Sequence, residues 1–273
     1  MSDRLIKFAV RSVLVLSALT GSVKLLSTNS SESHRLVAID ASGNNKYYLN
    51  NLSDNSKRVT LDSPCFWPEI STDGRYAIIG SKSSEYPNIF DIKFVDIDNG
   101  IQKKLFSTDQ YISQPSFSPT GREITFEENS TIHIFDMSTG KDKELTKGEL
   151  PSWSPDGTSI VYQNYKNPEK QEIHVINVKT NEDINLYYPG FMPTYTPLGD
   201  ISFFYNGNLR IVTEDGKFKR DVKMPSFTTI FNARWITNDI VSIKENIGNK
   251  FVDAFLDTKS GGMFVENTAE LNK

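Results

Sequence analysis

Cysteine is nearly missing from this chain: Cys65 is the one example in 273 residues, so no internal disulfide can form and stability must come from a buried core. Next to Phe66 and Trp67, that cysteine reads as a small buried apolar residue. An excess of either charge is missing too. Thirty Lys and Arg against 34 Asp and Glu leave a net charge of -4, which supplies no general pull toward phosphate and excludes nucleic acid as the default partner. There is no G-x-S-x-G nucleophile elbow, which removes the usual peptidase and esterase reading. After residue 30 no stretch keeps a helical period of apolar residues.

What is present begins with a basic and then apolar leader. Arg4, Lys7 and Arg11 precede an uncharged stretch over 12–23, the layout of an export signal. That stretch is shorter than the roughly 20 residues that cross a bilayer, although flanking Arg11 and Lys24 can snorkel and lengthen it. Residues 1–26 are therefore expected to be a signal peptide or a membrane anchor carrying an N-terminal hydrophobic helix. In the anchored case the basic flank keeps the N-terminus inside and places the rest of the chain outside. The polar run STNSSES over 27–33 is the expected linker.

The remainder is organised by a repeat. The segments QPSFSPTG (114–121) and LPSWSPDG (150–157) align without a gap; WPEISTDG (67–74), MPTYTPLG (192–199) and the worn NARWITND (232–239) follow the same template. Between the aligned positions 74, 121, 157, 199 and 239 the steps are 47, 36, 42 and 40 residues, close to the roughly 40 to 45 of a four-stranded propeller blade. After each copy comes a β-rich run (76–79, 123–126, 159–162, 201–204, 240–243), then a second ending in a polar turn (92–96, 132–136, 173–177, 209–213, 254–257), and a third containing Leu105, Leu145, Leu186, Val222 or Phe264. Alternating β-branched and aromatic residues between Gly, Asn, Asp and Pro are strand signals. Upstream, 36–39, 47–51 and 58–61 match the last three strands without the Pro-x-aromatic one. The expectation is an all-β chain: a β-propeller of four-stranded blades over 34–273, six in number, five full repeats plus a partial first blade, with five blades plus an appended sheet as the alternative.

The run Pro-Ser-Trp-Ser-Pro-Asp-Gly followed by Ile-Val-Tyr and Ile-His-Val-Ile-Asn resembles the repeat of TolB-like β-propellers, also found in the propeller domains of prolyl oligopeptidases and dipeptidyl peptidases. The resemblance covers 66–190 well and 191–267 loosely. It extends to the propeller alone, since the interval between the leader and residue 34 holds no room for the N-terminal α/β domain of TolB. The fold hosts binding modules, lyases and peptidase-gating domains, so the resemblance implies architecture more than activity.

Candidate site residues follow from the repeat. Phe117, Trp153, Tyr195 and Trp235, with Ile70, recur two residues after Pro or its substitute and are expected in the core between blades. The interleaved Glu69, Ser116, Ser152, Thr194 and Arg234 fall on the other face of the innermost strand, and are the polar candidates for a channel face; Glu69 and Arg234 carry opposite charges. Two long insertions, SKSSEYPN (81–88) and NYKNPEKQ (164–171), supply rim-loop binding candidates: Tyr86, Pro87, Tyr165, Lys166 and Pro168. His133 and His174 share one repeat position with Lys93, Arg210 and Tyr48, which reads as a partly exposed strand site of amphipathic side chains and not as a metal ligand. His34 stands alone. Asp96-Ile-Asp98-Asn-Gly100 begins like a calcium loop but lacks the later carboxylate, and turn chemistry accounts for it. No metal, cofactor or catalytic residue is expected.

Together these readings describe a non-enzymatic propeller, exported or membrane-tethered, periplasmic or otherwise extracytoplasmic, that serves as a protein–protein interaction module binding another envelope protein or a surface glycan. The alternative is a carbohydrate-active enzyme or glycan-binding protein that uses the mouth of the propeller channel.

Overall fold

The computed structural model describes residues 15–18, 37–42, 46–51, 58–61, 65–71, 75–86, 88–110, 112–167, 170–224, 230–235, 237–247 and 250–265. All its regular elements there are strands. By its contacts the chain divides into two compact units, residues 1–111 with 267–273 and residues 112–266.

The first unit holds two four-stranded sheets. One is β1 (Val15–Ala18), β2 (Val37–Ser42), β3 (Lys46–Asn51) and β4 (Arg58–Leu61). The other, blade 1, is β5 (Cys65–Ile70), β6 (Tyr76–Lys82), β7 (Phe90–Asp96) and β8 (Ile101–Thr108). The second unit holds four more blades. Blade 2 is β9 (Ile112–Phe117), β10 (Glu123–Glu128), β11 (Thr131–Asp136) and β12 (Lys141–Lys147). Blade 3 is β13 (Glu149–Trp153), β14 (Ser159–Asn167), β15 (Lys170–Asn177) and β16 (Asp183–Asn185). Blade 4 is β17 (Phe191–Tyr195), β18 (Ile201–Tyr205), β19 (Asn208–Val212) and β20 (Phe218–Lys223). Blade 5 is β21 (Ile230–Trp235), β22 (Ile240–Ile247), β23 (Lys250–Asp257) and β24 (Met263–Val265).

Each blade is an antiparallel meander in chain order, as the repeat requires. The expected six blades become five. The three upstream strands do pair antiparallel, but the fourth member of their sheet is β1, which runs parallel to β2. Without the Pro-x-aromatic segment no meander strand can take the innermost place, so this sheet is not a copy of the blade. Of the leader expected to be a hydrophobic helix, Val15–Ala18 is described, as β1; the rest of 1–26 and the linker 27–33 lie outside the described residues. Among the described residues no helix is long and apolar enough to cross a membrane.

The signature segment owes its residue types to local hydrogen bonding. In blade 3 the Ser159 N–H and the Thr158 N–H both donate to Ser154 Oγ, at 3.0 and 3.1 Å, while Ser154 Oγ–H donates to Asp156 Oδ1 at 2.6 Å. Gly157 sits at a φ of 72° and closes the turn with its N–H on the Ser154 carbonyl, 3.0 Å away. Ser118 in blade 2, Thr196 in blade 4 and Ser71 in blade 1 play the same part, each buried and each accepting from the N–H near the start of the next strand. A hydroxyl is needed there because these donors would otherwise be orphaned beside the core.

The prolines of the signature have a second consequence. The innermost strands of blades 3 and 4 are bulged where Leu150 and Met192 precede Pro, and both residues adopt left-handed φ values of 57° and 54°. Just before each bulge a glycine lies against an aromatic ring of the next strand: a Cβ on Gly148 would meet Tyr162 Cδ2 at 2.3 Å, and one on Gly190 would meet Phe203 Cδ2 at 2.3 Å.

Within the second unit, successive blades pack face to face. Ile132 and Ile134 of blade 2 cluster with Trp153, Ile160, Tyr162 and Ile176 of blade 3. The opposite face of blade 3, Val161, Ile173 and Val175, meets Tyr195, Ile201, Phe203 and Val212 of blade 4. Blade 4 in turn puts Phe204, Leu209 and Ile211 against Val241, Ile243, Leu256 and the partly buried Trp235. Trp153, Tyr195 and Trp235 therefore lie in inter-blade cores, as their spacing predicts, and Phe117 is half-buried. Each fully buried side chain of this kind contributes about 2 to 3 kcal/mol.

The close glycines give a direct test of this packing. Gly190→Ala or Gly148→Ala should each lower stability by about 1 to 3 kcal/mol through overpacking, read as a fall in the urea midpoint; an unchanged midpoint would show that the ring and strand are not in this contact.

Candidate functional site

The five polar residues of the innermost strands hold one register position throughout: Glu69 faces Ile78, Ser116 faces Thr125, Ser152 faces Val161, Thr194 faces Ser202 and Arg234 faces Ser242. All five are half-buried. In blades 3 and 4 the structure shows what the hydroxyls do. Ser152 Oγ lies 3.2 Å from Thr194 Oγ1 and accepts the Tyr195 N–H at 3.3 Å, while Ser202 Oγ accepts the Trp235 indole N–H at 2.8 Å and donates to the Thr194 carbonyl at 3.3 Å. These bonds stitch one innermost strand to the next. Glu69 belongs to the first unit and Arg234 to the second.

Of the rim-loop candidates, Tyr86 is 60% exposed at the tip of a turn closed by the Ile89 N–H on its own carbonyl. Pro87, Pro168 and the side chains of Tyr165 and Lys166 lie outside the described residues, as does the Cys65 side chain.

The histidine position differs from expectation. Read as partly exposed, it is buried: 6% exposed at His133 and 8% at His174. The reason is a carboxylate from the outermost strand. His133 Nδ1 lies 2.8 Å from Asp142 Oδ2 and the ring stacks on Phe126 at 5.1 Å; His174 Nδ1 lies 3.1 Å from Asp183 Oδ1, beside Tyr162, whose hydroxyl donates to the same oxygen. Lys93 and Arg210 hold this register place in blades 1 and 4. In blades 2, 3 and 4 the residue here, His133, His174 or Arg210, bonds a carboxylate of the outermost strand. Asp96 likewise spends Oδ1 on the N–H groups of Asp98 and Asn99 at 3.1 Å and Oδ2 on the Asn99 amide, which is turn chemistry.

Blade 4 builds something no repeat argument anticipated. The Arg210 guanidinium makes two parallel bonds to Asp221, at 2.8 and 2.7 Å, and lies 4.5, 5.2 and 5.7 Å from the ring centres of Tyr205, Phe218 and Tyr188. The bidentate bond holds the Asp221 carboxyl below its ordinary range and raises Arg210. Tyr188 and Phe218 sit in segments whose polarity hides them from pattern reading: YYPGF reads as loop, and FKRDVK as a charged edge.

A cleft of about 540 Å³ opens where the turns of blades 3 and 4 meet, lined among others by Thr158, Ser159, Glu182, Ile184, Glu214 and Asp215. Glu214 accepts the Tyr195 hydroxyl, whose pKa is raised chiefly by burial and then by that carboxylate. Asp215 is lowered to about 2, first by its bond to Lys217 and then by Thr213. The Ser159 hydroxyl has the hydroxyls of Thr158, at 3.5 Å, and Tyr195 as polar neighbours. Among the described residues no group of three His, Cys, Asp or Glu side chains is placed to hold a metal ion.

Fold and geometry define an all-β propeller. No family model matches the chain. It is 27% identical over 197 residues, 65% of its length, to the Tol-Pal system protein TolB of Francisella tularensis subsp. tularensis, and spans 41% of that protein. Solved structures of similar fold include the β-propeller domain of the Trilobed protease from Pyrococcus furiosus (TM-score 0.60, 15% identity, 84% of this chain and 78% of that one) and TolB from Acinetobacter baumannii (TM-score 0.57, 17% identity, 85% and 68%). Another is oligogalacturonate lyase from Vibrio parahaemolyticus, with a TM-score of 0.55, 14% identity, and 78% and 69% covered. The chain spans about two fifths of the curated relatives it matches. Its fold is a β-propeller similar to that of TolB.

The Arg210–Asp221 pair sets a pH dependence. Because the folded chain holds this carboxyl below its ordinary value of 3.8, the pair's stabilisation is present above that value and is lost as pH falls through the lower, folded one. Asp221→Asn should cost about 1 kcal/mol at neutral pH and flatten the acid limb of stability below about pH 4, measured by urea unfolding across pH; an acid limb of unchanged slope would remove the pair from that role.

Proposed function

We propose that this chain is a non-enzymatic β-propeller that acts as a protein–protein interaction module of the cell envelope, exported or tethered through residues 1–26. The observation that carries this reading is the use of its repeated polar residues. Ser154 and its equivalents build turns, the histidines pair with outer-strand carboxylates, and Ser152 and Thr194 join innermost strands. What varies between blades is the outer surface, which is where recognition on a rigid scaffold resides. Similarity over 197 residues to a Tol-Pal system protein supports an envelope setting. The basic and then apolar leader supports an extracytoplasmic location, in the periplasm or on the outer face of the inner membrane.

Two surfaces enter the proposal. The channel-face set Glu69, Ser116, Ser152, Thr194 and Arg234 contributes polar contacts at the innermost strands. The rim loops carrying Tyr86, Pro87, Tyr165, Lys166 and Pro168 contribute tyrosines, which suit partner contact because they add area at low entropic cost. The partner is another envelope protein or a surface glycan, and the alternative of a carbohydrate-active enzyme keeps its place as an outcome of the test.

The test has two arms. Fractionation with protease protection on the native host, followed by in-cell cross-linking mass spectrometry, should place the chain outside the cytoplasm and recover one envelope protein cross-linked to it repeatedly. In parallel, purified chain should release no product from a panel of polysaccharides with or without added divalent metals. Turnover that disappears in Glu69→Ala with Arg234→Ala would overturn the non-enzymatic reading, and a cytoplasmic location would overturn the envelope one.

A further inference from the structure

Blade 4 departs from its neighbours twice on one face. On the outermost strand, blades 2 and 3 put Asp142 opposite Phe135 and Asp183 opposite Ile176, and these carboxylates hold the histidines. The corresponding residue in blade 4, opposite Val212, is Phe218, 56% exposed. The carboxylate has moved along the strand to Asp221, opposite Arg210. A large apolar side chain thus stands more than half exposed where blades 2 and 3 keep an acid.

The second departure is in the connection to blade 4. Five positions separate Asn185 from Gly190 where four separate Glu144 from Gly148, and the longer connection carries Tyr187. Tyr187 is 81% exposed and its backbone takes a left-handed φ of 60°, an uncommon conformation for a bulky residue. It is held there by its N–H on Asn185 Oδ1 at 2.6 Å, with the Asn185 amide anchored in turn on Glu172 at 2.8 Å. Next to it Tyr188 donates its hydroxyl to the Gly216 carbonyl and completes the rings around Arg210.

Tyr205, Arg210, Phe218, Asp221 and Lys223 share by register the face whose inner part, Phe203 and Val212, packs on blade 3, and Phe218, Asp221 and Lys223 stand at its exposed outer edge. Tyr, Arg and Phe are the residue types that dominate partner contacts when packed together on a surface. The ring faces of Tyr188 and Tyr205 are turned toward the guanidinium, which leaves Tyr187 as an isolated open ring and makes the surface a poor platform for stacking a sugar. Charge decides the partner. Arg210 consumes the one carboxylate of this face, while Lys223 is exposed and has no ion pair among the described residues. The cleft carboxylates Glu214 and Asp215 lie just before the Phe218 end of β20, so the basic end of this surface is the Lys223 end, five residues or roughly 17 Å along the strand from Phe218.

We infer that the Tyr187–Tyr188 connection and the Arg210–Phe218 face of blade 4 form a docking surface for an acidic segment of a partner protein, with apolar side chains seated on Phe218 and Tyr187 and a carboxylate on Lys223. The inference rests on the interaction-module reading and names its surface and partner chemistry.

The test is selection of phage-displayed random dodecapeptides on the full chain, followed by fluorescence anisotropy of the synthetic winners. Enriched peptides should combine Asp or Glu with aromatic or aliphatic residues. They should bind Phe218→Asp and Lys223→Glu at least tenfold more weakly than the parent, and Tyr187→Gly severalfold more weakly. Tyr187→Gly relieves the left-handed backbone and Lys223→Glu changes an exposed side chain, so neither should lower the melting temperature, and these two variants carry the test if Phe218→Asp, which gives up the ring contact with Arg210, does lower it. Winners that bind Phe218→Asp within twofold of the parent would overturn this surface and leave the interaction-module reading standing. A library without any enriched family would count against both. Binding on an oligosaccharide array, lost in Phe218→Asp with no peptide selected, would overturn the protein partner in favour of a glycan.

Discussion

A four-stranded sheet has two faces and cannot cover either one itself, and the architecture of this chain answers that constraint. In the second unit, one face of each blade supplies aliphatic residues such as Ile132 and Ile134, or Val161 and Val175, and the next blade answers with an aromatic from its innermost strand, Trp153 or Tyr195. The aromatic must come from the innermost strand because that strand is shared least with solvent and lies closest to its neighbour. Losing one such side chain would expose apolar surface on two blades together, a loss of several kcal/mol.

Backbone detail serves the same packing. Gly148 and Gly190 let a ring of the second strand lie directly on the entry to the first, and the left-handed Leu150 and Met192 bulge the strand just after it. Two elements that would otherwise collide are thereby brought within contact distance. Polar side chains follow the same economy. A hydroxyl in the turn captures the N–H groups that the tight bend leaves without partners, and a His or Arg on the third strand ties the outermost strand to the blade through a carboxylate. What differs from blade to blade is the outer edge, where blade 4 places Phe218 at the position that holds Asp142 and Asp183 in blades 2 and 3.

Much of this was legible in the order of residues, and the reason is locality. The Ser/Thr-Pro-Asp-Gly turn makes its bonds within about five residues, so its chemistry is visible in a short window, and the aromatic two places after proline marks the inter-blade core reliably. Legibility failed wherever a partner came from a distant strand. Whether His133 and His174 are exposed depends on Asp142 and Asp183 closing over them from the outermost strand, whose sequences KDKELTK and DIN carry no alternating pattern to align. The count of blades failed for a related reason: strands 37–42, 46–51 and 58–61 have blade-like sequences, but their fourth neighbour, Val15–Ala18, joins parallel from outside the repeat.

Sequence alone determined the strand repeat, its turn chemistry and the aromatic ring of the cores, because these are set by neighbours along the chain and by a period of about 40 residues. Tertiary structure decided which repeated residues are consumed and which are offered. Glu69, Ser116, Ser152, Thr194 and Arg234 share one place in the alignment, yet only the structure shows that the hydroxyls of Ser152 and Thr194 are bonded to each other across a seam. Phe218 and Tyr187 look like ordinary edge and loop residues, and their exposure beside Arg210 follows from strand register and one extra residue in a connection, quantities that exist only once the sheets have formed.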